Sequence, residues 1–128
     1  MKHDALSDVF SVIKNSESIG KSECTVPASK MIKRVLEIMH KRKYIGDVTF
    51  IDDGRSGTFK VKLSGKINDC NSVRPRFSIK VNEMRKFEKR FLPATDVGLL
   101  LISTPKGVLD HEEAKKEKTG GKLLGFVY

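Results

Sequence analysis

Between residues 43 and 48 the spacing of apolar side chains changes from three-and-four to two, which requires a fold that joins helices to a sheet. Upstream, Leu6, Val9, Phe10 and Ile13 fall on one face of a helix expected over residues 5–15. Met31, Ile32, Val35, Leu36 and Met39 form the stripe of a second helix that runs to about Arg42, and Ser29 has the side chain to cap its start. Downstream, Phe59, Val61 and Leu63 alternate with Thr58, Lys60, Lys62 and Ser64, so one face of that strand is dry and the other basic. A helix stripe and a strand face each need covering, and covering one with the other gives an α+β layer.

The chain reads as two small lobes packed together, because units of about 60 residues bury too little surface to be secure apart. The N-terminal lobe, residues 1–67, has the order α-β-α-β-β: a short strand at 23–26 is ended by Pro27, and Val48 and Phe50 open a hairpin that turns through Asp53-Gly54-Arg55-Ser56-Gly57. Residues 68–72 are polar and turn-prone and precede Arg74-Pro75, which marks them as the boundary. The C-terminal lobe, residues 73–128, is β-rich with short helices. Phe77, Ile79 and Val81 alternate with Ser78 and Lys80, Asn82 can cap a short helix carrying Met84 and Phe87, and Leu92-Pro93 closes it. The apolar run 97–102 has the length of a core strand. Asp110 with Glu113 has the spacing of a capping box, Gly120-Gly121 reads as the stop of that helix, and residues 123–128 form a last strand.

Charge narrows the partners. The 128 residues hold 25 Lys and Arg against 16 Asp and Glu, a formal charge of +9, which attracts polyanions at long range. The cations Lys30, Lys33, Arg34, Lys41, Arg42 and Lys43 surround the second helix stripe and its C-terminal end, where they also suit the helix dipole. No run approaches the roughly 18 apolar residues of a spanning helix, and no signal segment leads the chain, so a soluble, intracellular protein away from the membrane is expected. Ser103-Thr104-Pro105-Lys106-Gly107 form a polar loop between the run 97–102 and the Asp110 helix. Hydroxyls, a lysine and free backbone N–H groups on rigid supports can grip phosphate and read an RNA groove.

Catalytic readings find less support. The glycine clusters, Gly54 with Gly57 and Gly120 with Gly121, match neither GxGxxG nor a P-loop. Ser103 or Thr104 would need His111 as a base, an orienting carboxylate and an oxyanion hole; nothing identifies the last two, and His111 is expected at the surface, as His3 and His40 are. Asp52-Asp53 before Gly54 suits a turn better than a metal pair. Glu112 and Glu113, neighbours on a helix, point about 100° apart and make no acid/base dyad. Cys24 and Cys70 stand alone and read as reduced, partly buried thiols. No catalytic residue, metal, cofactor or small-molecule substrate is expected.

Ile102-Ser103-Thr104-Pro105-Lys106-Gly107-Val108, then Asp110-His111-Glu112-Glu113-Ala114, then Gly120-Gly121 before an apolar, aromatic-ended tail carry a resemblance to the ribosomal protein S8 family of the small subunit. It extends to Pro27-Ala28-Ser29-Lys30, Tyr44-Ile45-Gly46, Ile51-Asp52-Asp53-Gly54-Arg55, Arg74-Pro75-Arg76-Phe77 and Phe91-Leu92-Pro93, of which the Ile51 to Arg55 turn and Pro75-Arg76-Phe77 are similar to the archaeal and eukaryotic cytosolic branch. The resemblance implies a non-catalytic primary binder of small-subunit ribosomal RNA, attached to a central-domain stem and assisting early assembly. Its neighbours would be other small-subunit ribosomal proteins and its place the ribosome in the cytoplasm. It also implies that Ser103, Thr104, Lys106 and Gly107, with Gly120, Gly121 and Lys122 beside them, make the specific contact. Lys30, Lys33 and Arg34 then belong to a secondary, backbone-contacting platform.

Two residues depart from the family pattern. Pro105 replaces the second serine of the usual Ser-Thr-Ser-Lys-Gly loop, which removes a hydroxyl and an N–H while presetting φ near about −65°. Lys122 stands where a glutamate is common and reverses a charge. The competing reading is a general double-stranded RNA binder or RNA chaperone outside the ribosome, which would use shape, phosphate and 2′-OH contacts with little preference among stems.

Overall fold

The change of period is realised as helices followed by antiparallel strands. The computed structural model describes residues 5–52, 54, 57–73, 78–94 and 97–128, and divides into two units, one ending at Asp69 and one starting at Cys70. The expected turn residues Asp53, Arg55 and Ser56, the segment Arg74-Pro75-Arg76-Phe77, and His3 lie outside the described residues.

In the first unit, α1 (Ala5–Ser18) and α2 (Lys30–Lys41) accompany a sheet of β1 (Glu23–Pro27), β2 (Ile45–Ile51) and β3 (Thr58–Leu63) in the order β1-β3-β2. Register sets Val26 and Phe50 opposite Phe59, and Cys24 and Val48 opposite Val61, so these six share one face. That face is the dry one. Val26, Phe59 and Val61 are buried, together with Leu6, Val9, Phe10 and Ile13 from α1 and Ile32, Val35, Leu36 and Met39 from α2. Each large aliphatic side chain buried this way contributes about 1.5–3 kcal/mol. Ile38 joins the core where periodicity had placed Met31, which is only half-buried.

Local chemistry sets the ends of these elements. Ser29 Oγ accepts the Ile32 N–H at 3.1 Å and caps α2. Lys43, at φ +67, takes the left-handed conformation that lets the Tyr44 N–H reach the Met39 carbonyl at 2.9 Å and end the helix. Asp52 Oδ1 accepts the Gly54 N–H at 2.9 Å, the turn bond expected of an acid before glycine. The Glu17 carboxylate takes the N–H groups of Gly65 at 3.2 Å and Ile67 at 3.0 Å, and so ties the segment after β3 to α1.

The second unit is a five-stranded antiparallel sheet of β4 (Cys70–Ser72), β5 (Ser78–Ile79), β6 (Leu99–Thr104), β7 (Gly107–Asp110) and β8 (Gly121–Val127). Strand β8 pairs with β4, β5 and β6, and β6 pairs with β7. A 3-10 turn (Val81–Glu83) leads into α3 (Met84–Phe91), and α4 (His111–Lys116) follows β7. Ile79, Met84, Phe87, Leu100, Ile102, Ala114 and Leu123 form the core between sheet and helices.

This unit corrects the sequence reading in five places. Residues 70–72, expected in a linker, form β4 because β8 offers them an open edge. The core strand starts at Leu99, since Gly98 at φ +88 breaks the run and leaves Val97 exposed. The loop 103–107 is a hairpin: Ser103 and Thr104 belong to β6 and Gly107 to β7. Asn82 lies inside the 3-10 turn and caps nothing; Glu83 Oε1 instead takes the Lys80 N–H at 2.9 Å. Gly120-Gly121 do not stop α4. Lys118 does so at φ +53, with the Thr119 N–H on the Ala114 carbonyl at 3.0 Å, and Gly121 already belongs to β8.

Candidate nucleic-acid interface

The turn of the β6–β7 hairpin is held by one hydroxyl. Thr104 Oγ1 donates to the Gly107 carbonyl at 2.7 Å and accepts the Lys106 N–H at 3.1 Å, so its proton is committed inside the turn. Pro105 occupies the first corner, where its fixed φ suits the bend. Gly107, at φ +108 with open space around it, supplies the conformation that a side chain would resist. The Pro105 departure therefore presets the turn. Lys106 Nζ meets Glu117 Oε2 at 3.0 Å, but both side chains are more than half exposed, and such a pair is worth little and is easily exchanged.

Strand register assembles the rest of this surface. Lys122 on β8 lies opposite Ser103 on β6 and opposite Ser78 on β5, so a lysine stands between two hydroxyls in one cross-strand row. Ser78 and Lys122 are exposed and Ser103 is half-buried. A shallow cleft of about 600 Å³ collects Ser103, Thr104, Pro105 and residues 120–122 with Ser78 and Lys80. Ser78 and Lys80 were missed as site residues. Their signal was present as the outward positions of the alternating Ile79 strand, but nothing in one dimension says that this strand joins β8.

Gly120 and Gly121 serve this surface through close packing. A Cβ on Gly120 would strike the Ile79 carbonyl oxygen, and one on Gly121 would strike that of Ser103. The two glycines bring three strand backbones together and leave the floor of the cleft without side chains.

The expected cations of α2 belong to the first unit. Lys30 and Lys33 have no carboxylate partner among the described residues. Arg34 differs, since its Nη1 meets Glu37 Oε2 at 3.2 Å one turn along the helix. Ser103, Thr104, Lys106, Gly107, Gly120, Gly121 and Lys122 thus form one surface, and Lys30, Lys33 and Arg34 form another on a separate unit.

His111 departs most from expectation. It is 1% exposed, with Nε2 donating to Glu88 Oε1 at 2.9 Å and Nδ1 accepting the Leu100 N–H at 3.1 Å. Both ring nitrogens are committed, so the imidazole is not placed to serve Ser103 or Thr104 as a base. Burial pushes its pKa below the ordinary value, outweighing the upward pull of Glu88 and Asp110. His40 is exposed, with Nδ1 3.0 Å from the Gly46 carbonyl. Cys24 and Cys70 are buried thiols, not joined in a disulfide, and burial raises the Cys24 pKa. Among the described residues no group of three or more His, Cys, Asp or Glu could hold a metal ion, and no helix is long and apolar enough to cross a membrane.

Among the described residues the polar groups of both surfaces stand on open ground. The profile of the family described as ribosomal protein S8 matches residues 4–128. With the small ribosomal subunit protein uS8 of Methanococcoides burtonii the chain shares 49% identity over 126 residues, an alignment that covers 98% of this chain and 97% of that protein. The chain belongs to the ribosomal protein S8 family.

Proposed function

We propose that this chain is a structural constituent of the small ribosomal subunit that binds the subunit's RNA at a central-domain stem and assists early folding of that domain. It works without catalysis, in the cytoplasm and within the ribosome, beside other small-subunit ribosomal proteins. The observation that carries the reading is the row Ser78, Lys122, Ser103 next to a preset turn. Hydroxyls can exchange hydrogen bonds with 2′-OH groups and base edges on the minor-groove side of RNA, and Lys122 supplies charge for a phosphate. Gly120 and Gly121 line the cleft beside this row and let its strands pack closely. Ser103 is the direct contact, Thr104 holds the turn, and Lys106 exchanges Glu117 for phosphate. Lys30, Lys33 and Arg34 add contacts to the RNA backbone from the first unit.

The test is filter binding of the purified protein to small-subunit ribosomal RNA and to an unrelated duplex of equal length at one salt concentration. Much tighter binding to the ribosomal RNA is expected. Equal affinities would assign the chain to general duplex binding. Salt must be held fixed because phosphate neutralisation alone makes affinity fall steeply as salt rises.

A further inference from the structure

We propose that Phe50 is a stacking platform for an unpaired RNA base, with Lys30 and Lys33 receiving the phosphates on either side of it. Phe50 lies opposite Phe59, on the face of the sheet that α1 and α2 otherwise bury, yet it is 55% exposed. The dry face therefore continues beyond its helical cover, and its last ring is left in water. Placing that much aromatic surface in solvent forgoes burial that the rest of the face obtains.

The ring is also braced. Its neighbour Phe59 meets it in an edge-on arrangement, with centroids 5.8 Å apart and planes at 64°. On another side it fills the space a Cβ would take at Gly57, whose φ of +88 excludes most side chains independently. A ring held from two sides loses little freedom when a flat partner stacks on its open face.

Charge identifies that partner. The cleft of about 580 Å³ in front of the ring is lined, among the described residues, by Ala28, Ser29, Lys30, Lys33, Phe50 and Phe59, none of them a carboxylate. The acids Glu37 and Asp47 line the adjoining cleft, and Glu37 is engaged by Arg34. An aromatic ring beside two lysines that form no ion pair among the described residues suits a ligand that is flat and anionic, and a nucleotide in a single-stranded stretch is both. An apolar side chain of a protein would use the ring but leave the lysines without a role. The inference rests on the RNA-binding reading above, and gives the first unit a base contact where that reading supplies only contacts to the RNA backbone.

The full-length protein, labelled with ¹³C in its phenylalanine rings, is titrated with hexaadenylate; binding to small-subunit RNA is measured alongside at the same salt. Stacking shifts the Phe50 ring resonances upfield. Phe50→Leu should weaken hexaadenylate binding by about five- to 150-fold, the range expected for loss of one base–aromatic stack, while Phe50→Trp retains it. Absence of a Phe50 shift in the wild-type protein overturns the platform, even if the leucine variant cannot be folded. Wild-type affinity of a folded Phe50→Leu variant also overturns it. A Phe50 shift in a protein that does not prefer small-subunit RNA supports the platform and refutes only the ribosomal reading.

Discussion

His111 Nε2 lies 2.9 Å from Glu88 Oε1, and this bond joins α4 to α3 inside the second unit, where both residues are at most 3% exposed. Lys115 Nζ reaches the same oxygen at 2.8 Å from the edge of the unit, while the backbone N–H of Leu100 on β6 uses the other imidazole nitrogen. One ring thus connects two helices to the sheet that carries the Ser103 surface. Replacing His111 by Ala strands the Leu100 N–H and removes a donor from a buried carboxylate. It should cost about 2–5 kcal/mol in urea unfolding. A loss below about 1 kcal/mol would show that the bond is not needed.

The same contact makes stability depend on pH. Burial lowers the folded pKa of His111 below its ordinary 6.5, against the raising influence of Glu88, Asp110 and Glu112 and with a lowering one from Lys115. The unfolded chain therefore binds a proton more readily. The stability this site contributes is present above pH 6.5 and is lost as pH falls from there through the folded value. Unfolding free energies measured at several pH values should decline more steeply below 6.5 in the wild type than in His111→Gln. Parallel curves would remove His111 as the cause.

Gly121 has no space for a side chain because the Ser103 carbonyl occupies the position of its Cβ. Gly121→Ala must push β8 away from β6 and should destabilise the protein by about 1–3 kcal/mol, the usual cost of overpacking. Its thermal transition should fall, and affinity for small-subunit RNA with it. An alanine variant of unchanged melting temperature would contradict this packing.

Ser103 and Thr104 should respond differently to alanine. Among the described residues the Ser103 hydroxyl has no partner, so Ser103→Ala should reduce selectivity for small-subunit RNA at unchanged stability. Thr104→Ala frees the Lys106 N–H and the Gly107 carbonyl, and should lower both melting temperature and selectivity. Each of those bonds is worth about 0.5–1.5 kcal/mol. Equal melting curves for the two variants would refute the division.

Charge on α2 should position rather than select. Neutralising Lys30 and Lys33 with Gln should weaken specific and unrelated RNA by similar factors, and reduce the slope of log affinity against log salt by about one for each phosphate left without its lysine. Arg34→Gln should have the smaller effect, because Glu37 already holds the guanidinium. Binding curves across a salt series read both. Loss of selectivity in the lysine variant, with an unchanged slope, would reverse the assignment.

The helices and strands were largely legible in the chain because burial imposes a period on each. Leu6, Val9, Phe10 and Ile13 mark α1 without any knowledge of what they touch, and Phe59 and Val61 mark β3. The turn residues Asp52 and Gly54 and the cap at Ser29 were equally visible, since their bonds are made within a few residues. Family membership was legible for a related reason: the segments around Ser103, Asp110 and Gly120 occur together in one order. Interactions between distant segments were not. Gly120-Gly121 read as a helix stop, yet their space is taken by Ile79 and Ser103, which only strand pairing brings near. His111 read as a surface residue because its neighbours are polar, but Glu88, 23 positions away, meets it in the interior. Ser78 acquires its place beside Lys122 from the register of β5 on β8. Local bonds and periodicity are properties of short segments, and so are written in their order. Close approach, burial of a polar pair and the company of a site residue depend on which segments pair, and that was settled by the tertiary structure alone.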